Sequence, residues 1–211
     1  MTALLLCNGE PPPRKLARRL ARHAGIIVAA DGGANAARVL GLTPAVIIGD
    51  LDSLTPATRR AFPGADIIRV TRQDNTDLEK ALDEIHRRGF DRVVVLGATG
   101  RRIDFTLGNF SVVWRYRKRL HVLFAGDGWY ALPVGRKHRL HAPAGTTVSL
   151  IPFGPCSGIT LRGLVYPLRN ASMAVGVVGV SNVVRRSPCS VSVRRGNMLL
   201  VVMEKFTPGC A

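Results

Sequence analysis

Residues 26–35 read Ile26-Ile27-Val28-Ala29-Ala30-Asp31-Gly32-Gly33-Ala34-Asn35. Five apolar residues, three of them β-branched, run without polar alternation, as in a strand buried on both faces. The run stops at an acid and two glycines, and a short helical stretch follows that ends near Gly41. A strand buried on both faces needs helices to cover it, so this stretch points to an α/β fold.

The same alternation extends outward in both directions. Upstream, Ala3–Cys7 reads as a strand. Arg14–His23 reads as a helix with Leu16, Ala17, Leu20 and Ala21 on one face. Downstream, Ala45–Ile48 is a buried strand, and Thr55-Pro56 supplies an N-cap and a first-turn proline for a helix. Asp66–Val70 is a strand. Thr76-x-x-Glu79 is a capping box that opens a helix to Arg88, stopped by Gly89. Arg92–Leu96 is a strand leading into Gly97-Ala98-Thr99-Gly100, a helix spans about Thr106 to Tyr116, and His121–Phe124 is a strand. Strands alternating with helices predict a doubly wound, mostly parallel sheet. After Asp127-Gly128 the helical period disappears. Thr147–Ile151, Ile159–Leu161, Val175–Val180, Ser190–Arg194 and Met198–Met203 read as short strands between Gly and Pro. The prediction is an α/β domain over residues 1–126, then a small all-β sandwich over 127–211.

Composition narrows the function classes. The 211 residues are 46% apolar, enough for a packed core. The longest apolar or glycine run, Met173 to Val180, is far below the roughly 18 residues of a membrane span. The N-terminus lacks the basic region of a secretory signal. Four cysteines (Cys7, Cys156, Cys189, Cys210) show neither CxxC spacing nor an accompanying histidine pattern, so the expectation is a reducing cytoplasm without zinc or disulfides. The net charge of +16 raises nucleic acid as a partner. The bases after Gly128, however, are singles and pairs such as Arg136-Lys137 and Arg185-Arg186, without a basic run, which argues against that reading.

In a chain this poor in carboxylates, their placement is informative. Asp31 follows one strand, and Asp50 and Asp52 follow another in Gly49-Asp50-Leu51-Asp52-Ser53. Gln73-Asp74-Asn75-Thr76-Asp77 follows a third, and Asp104 lies just past a fourth. Ligands of open α/β sheets bind outside the carboxyl ends of the strands. Carboxylates gathered there repel unless a cation neutralises them, and Mg²⁺ suits a site that also takes phosphates. The neighbouring glycines, Gly32 and Gly33 among them, let backbone N–H groups approach phosphate. Each acid also has a plainer role available. Asp77 complements the helix dipole, Glu79 belongs to the capping box, and Lys80 can pair with Asp77 across a turn.

Taken together, Ala30-Asp31-Gly32-Gly33-Ala34-Asn35, Gly49-Asp50-Leu51-Asp52-Ser53, Gln73-Asp74-x-Thr76-Asp77-x-x-Lys80-Ala81-Leu82 and Gly97-Ala98-Thr99-Gly100-x-Arg102-x-Asp104 resemble thiamine pyrophosphokinases. The likeness is dense over residues 25–110 and thinner through Ser149-Leu150-Ile151-Pro152 and Gly179-Val180-Ser181-Asn182. It implies an α/β domain followed by a β-sandwich, in a homodimer with active sites between subunits. It also implies transfer of the β,γ-pyrophosphoryl group of ATP to the hydroxyl of thiamine, giving thiamine diphosphate and AMP. By matching positions, Asp50, Asp52, Asp77 and Asp104 surround Mg²⁺ and the phosphates, with Asp31 in the same polar cluster. Gln73, Lys80 and Arg102 contact ATP or the transferred group, and Ser181 and Asn182 lie near thiamine.

Two positions depart from the family's Gly-Gly-Arg-x-Asp-His pattern. Arg101 stands for a glycine and Phe105 for a histidine. The change keeps open a related pyrophosphokinase with another alcohol, such as a hydroxymethyl pterin, as acceptor. The positive charge keeps open a non-catalytic nucleic-acid-binding relative.

Overall fold

In the computed structural model the described residues are 1–72, 74–176 and 179–207. The chain divides into two compact units, Met1–Asp127 and Gly128–Ala211. Among the described residues no helix is long and apolar enough to cross a membrane.

The first unit alternates β1 (Thr2–Leu6), α1 (Arg14–Ala21), β2 (Ile26–Ala30), α2 (Gly33–Leu40), β3 (Val46–Gly49), α3 (Pro56–Ala61), β4 (Asp66–Arg69), α4 (Asp77–Arg87), β5 (Arg92–Leu96), α5 (Ile103–Tyr116) and β6 (His121–Gly126). Its strands lie in the order β6-β5-β1-β2-β3-β4, every neighbouring pair parallel. The central strands carry the core. Ala3 to Leu6 and Val93 to Leu96 are buried on both faces, whereas edge strand β4 exposes Asp66 and Arg69 and only half-covers Ile67 and Ile68. Helix α4 turns Leu78, Ala81, Leu82 and Ile85 onto β2 and β3. Fully burying Leu82 and Ile85 contributes about 1.5–3 kcal/mol each.

The helix signals read in the sequence are formed. Thr55 caps α3 by accepting from the Thr58 N–H at 3.2 Å. Thr76 and Glu79 close a reciprocal capping box on α4. Gly41 ends α2 in the left-handed region at φ 70°, which costs glycine nothing. Helix α5 starts at Ile103, three residues before the expected Thr106.

The strand order reverses between β1 and β5, which makes this the switch point of the sheet, where a ligand crevice is expected. Beyond it the two departing loops stay joined. Cys7 N–H donates to Leu96 O at 2.9 Å, Gly9 N–H to Gly97 O at 2.7 Å and Glu10 N–H to Thr99 O at 2.8 Å.

The second unit holds β7 (Trp129–Val134), β8 (Lys137–Leu140), β9 (Thr147–Pro152), β10 (Cys156–Arg162), β11 (Leu168–Met173), β12 (Asn182–Val183), β13 (Cys189–Ser192) and β14 (Met198–Val202). Two antiparallel arrays form, β12-β9-β14-β7 and β11-β10-β13-β8. Alternate side chains such as Val148, Leu150, Ile159, Leu161 and Val191 are buried, as an antiparallel layer with one core face requires. One expected strand is corrected. Over Val175–Val180 the described residues form a turn at Val175-Gly176 and irregular chain at Gly179-Val180, and Val177 and Val178 lie outside the described residues. The apolar run misleads because its glycines decide the conformation. Gly176 has φ 88°, and a Cβ on Gly179 would stand 2.4 Å from Leu150 O.

Candidate active site

Three strand and helix ends bring carboxylates together. Asp31, Asp50 and Asp77 each offer an oxygen, and these oxygens all lie within 4.8 Å of one another. Asp31 follows β2 with a left-handed backbone, φ 43°, held by its N–H to Ile48 O at 2.8 Å. Asp50 follows β3, and Asp77 opens α4. Gly49 sits in the middle. A Cβ there would lie 2.8 Å from Asp31 Cβ and 3.2 Å from Asp77 Oδ1, so only glycine lets the acids converge.

The electrostatics of this cluster are unbalanced. Asp31 is 4% exposed, and its Oδ1 is buried without a hydrogen-bond partner. Burial pushes its carboxyl above the ordinary aspartate value, the Ser53 hydroxyl and Gly32 N–H pull it back, and the charges of Asp77 and Asp52 raise it again. The neighbouring counter-charge is Lys80, whose Nζ donates to Asp77 Oδ1 at 2.9 Å from a nearly buried side chain. Among the described residues this is the one ion pair to any of the three carboxylates. A buried, unpartnered carboxylate oxygen beside two more oxygen donors fits a hard divalent cation. Cys7, beneath the site, is no nucleophile. Burial, then the charge of Asp77, pushes its thiol up to about 12.

The remaining expected residues take other positions. Asp52 lies outside the three-oxygen cluster. Its N–H donates to Asp50 Oδ1 at 3.2 Å, and its Oδ1 accepts from Ser53 Oγ at 3.0 Å. Asp104 also lies outside it, in an exposed pair with Arg102. Nε donates to Oδ1 at 3.1 Å and Nη2 to Oδ2 at 2.5 Å. That guanidinium, followed by backbone N–H bonds, holds the Asp104 carboxyl below the usual range. Gly32 and Gly33 serve close packing. A Cβ on Gly33 would meet Leu6 O at 2.1 Å, and one on Gly32 would meet Asn8 Nδ2 at 2.3 Å. Gln73 lies outside the described residues. In the second unit, Ser181 has φ 61° and donates its N–H to Ser149 Oγ at 3.1 Å. Asn182 is buried and clamps Tyr166, accepting from its N–H at 3.0 Å and donating to its O at 2.8 Å.

Sequence reasoning missed two asparagines. Asn35 on α2 pins the Asp50–Ser53 turn, donating to Ser53 O at 2.7 Å and accepting from Thr55 Oγ1 at 3.1 Å. Asn8 accepts from Arg101 Nη1 at 3.2 Å and so bridges the loops after β1 and β5. Their partners lie 18 to 93 residues away, and only the Asn35 position inside an acidic motif hinted at a role.

Comparison with known proteins gives a consistent result. The family profile described as "Thiamin pyrophosphokinase, catalytic domain" matches residues 17–124. The profile "Thiamin pyrophosphokinase, vitamin B1 binding domain" matches residues 137–198. The chain is 33% identical to thiamine pyrophosphokinase 1 of Oryza sativa subsp. japonica, over 86% of this chain and 80% of that protein. It is 28% identical to thiamine pyrophosphokinase of Bacillus subtilis, over 76% and 79%. Among solved structures, thiamine pyrophosphokinase from Bacillus subtilis superposes with a TM-score of 0.84 at 23% identity, covering 98% of this chain and all of that one. Thiamin pyrophosphokinase from Candida albicans gives 0.86 at 20% identity, covering 97% and 89%. At these identities the structural likeness establishes the fold.

Proposed function

We propose a catalytic assignment for a chain that belongs to the thiamine pyrophosphokinase family and is a thiamine diphosphokinase. The reaction moves the β,γ-pyrophosphoryl group of ATP to the thiamine hydroxyl and releases AMP. The first unit binds ATP and Mg²⁺, and the second binds thiamine and dimerises. The chain works as a homodimer with active sites between subunits, in the cytoplasm. Its buried free thiols Cys7, Cys156 and Cys189 support a reducing compartment.

The carrying observation is the convergence of Asp31, Asp50 and Asp77 on one point, with Asp31 Oδ1 buried and unpartnered. These three would hold Mg²⁺, with Asp52 and Asp104 bordering the phosphates. Bound there, the ion polarises phosphoryl oxygens and offsets their charge. Lys80 is held by Asp77, and from that position can turn to an incoming phosphate. Arg102 presents a planar donor to the transferred group. Gln73 contacts ATP, and Gly32 and Gly33 bring the α2 N-terminus close to it. Ser181 and Asn182 shape the thiamine side. A carboxylate beside the thiamine hydroxyl accepts its proton as the bond to phosphorus forms. Charge neutralisation and in-line positioning carry most of such a transfer.

The test is AMP formation from MgATP with and without thiamine, with the product identified by mass. Thiamine-dependent AMP with thiamine diphosphate is the expected result. AMP formed with a pterin alcohol and not with thiamine would sink the acceptor assignment. Asp52→Asn is expected to lose most turnover and keep the fold; a fully active variant removes Asp52 from the mechanism.

A further inference from the structure

Phe105 is half-exposed, at 48%, on a helix start that also exposes Ile103 and Leu107, so core packing does not explain it. Its ring does have a specific neighbour. The Arg102 guanidinium carbon lies 4.4 Å from the ring centroid. The same guanidinium is gripped at its edge by Asp104, through Nε at 3.1 Å and Nη2 at 2.5 Å. The two contacts are geometrically independent. A bidentate carboxylate fixes the guanidinium within its plane, and an aromatic face fixes the plane itself. Arg102 is 67% exposed, and without both it would sample many rotamers. Its third nitrogen, Nη1, has no acceptor among the described residues and is the donor left for a ligand oxygen.

We propose that Phe105 is a positioning residue, whose ring sets the plane in which Arg102 presents Nη1 to the phosphates of MgATP. The proposal rests on the reading that Arg102 handles phosphate. It gives the Phe105 side chain a role in nucleotide binding, without contact to thiamine or to the reacting atoms.

The test compares the full chain with Phe105→Leu, Phe105→Tyr, Arg102→Ala and the Arg102→Ala/Phe105→Leu double variant. MgATP affinity is read by calorimetry, kcat and the thiamine KM by AMP release, and the Arg102 δ-methylene proton shifts by NMR. Phe105→Leu is expected to weaken MgATP binding about two- to fivefold, the equivalent of about 0.5–1 kcal/mol for an exposed cation–π contact. The thiamine KM stays unchanged, and the upfield ring-current shift at Arg102 is lost. Phe105→Tyr restores affinity and shift. In the Arg102→Ala background, Phe105→Leu has no further effect. A Leu variant that binds MgATP normally, a Tyr variant that fails to rescue, or an equal loss in the Arg102→Ala background overturns the proposal. MgATP binding without thiamine-dependent AMP overturns the acceptor assignment alone, and no MgATP binding by the unmodified chain overturns both.

Discussion

Two sets of acids lie on or beside helix α4, the first buried and the second half-buried around a buried Asp31, and they are treated in opposite ways. Glu79 and Glu84, 4% and 7% exposed, are surrounded by donors. Glu79 closes the capping box, receives Arg115, and its carbonyl accepts from Tyr116. Glu84 takes two bonds from Arg87 at 2.7 Å and one from Arg88 at 2.6 Å, and its carboxyl is held below the ordinary range by those arginines. Of Asp31, Asp50 and Asp77, only Asp77 has an ion-pair partner among the described residues, Lys80, and the Asp31 carboxyl is pushed above its ordinary value. A buried acid with its arginines supports the fold. A buried acid without them stores repulsion that a bound cation can relieve.

The sharpest way to break this division is to neutralise one member of the charge-excess set. Asp50→Asn keeps the acceptor that Asp52 N–H uses and removes only charge. Thiamine-dependent AMP formation is expected to fall about a hundredfold or more, since several kcal/mol of charge stabilisation are lost. The melting temperature of the metal-free protein holds or rises. A variant that melts several degrees lower while keeping its activity would place Asp50 in the supporting set.

The cation itself gives the second test. At a hundred times its dissociation constant Mg²⁺ stabilises the native state by about 2.7 kcal/mol, or about 5–10 °C for a domain of this size. Calorimetric scans with Mg²⁺ and with EDTA should differ by that amount, and Asp31→Asn should abolish most of the difference. Asparagine tolerates the φ of 43° at this position, so the backbone is not the variable. An unchanged Mg²⁺ increment in Asp31→Asn would remove Asp31 from the metal set.

Much of this contrast was legible in the sequence. The capping box Thr76–Glu79 separates Glu79 from the functional acids by sequence alone, because local spacing determines such a motif. The β2-Asp31 and β3-Asp50 junctions were legible because buried parallel strands advertise themselves as unbroken apolar runs. Which acids converge was not legible. Asp104 and Asp77 occupy equivalent places after their strands, yet Arg102 claims Asp104 through a contact two residues away. The second unit was harder to read. Lys137–Leu140 and Leu168–Met173 carry Arg, Lys and Asn at exposed positions and lack an apolar run. Val175–Val180 has one, yet the chain turns at Val175-Gly176.

The supporting set is tested by Glu84→Gln. Losing the charge from three charge-assisted bonds is expected to cost about 1–2 kcal/mol and lower the melting temperature by about 3–6 °C. Turnover should stay within about twofold of the parent. A large activity loss at unchanged stability would contradict the division from the other side.

The smallest effect is a difference in sign with pH, and it separates the two sets in a single titration. Asp31 has a folded pKa above its unfolded value of about 3.9, so its contribution to metal-free stability is present below that value. That contribution is lost as pH rises through the folded value. Glu84 has a folded pKa below its unfolded value of about 4.3, so its contribution is present above that value and lost as pH falls through the folded one. In metal-free melts run from pH 7 down to pH 3.5, the parent should therefore gain stability on Asp31→Asn and lose its advantage over Glu84→Gln. Adding Mg²⁺ should reverse the first trend, because the cation and the proton compete for Asp31, and metal affinity then falls with pH. Parallel trends for the two variants would mean that Asp31, like Glu84, already has its counter-charge within the fold.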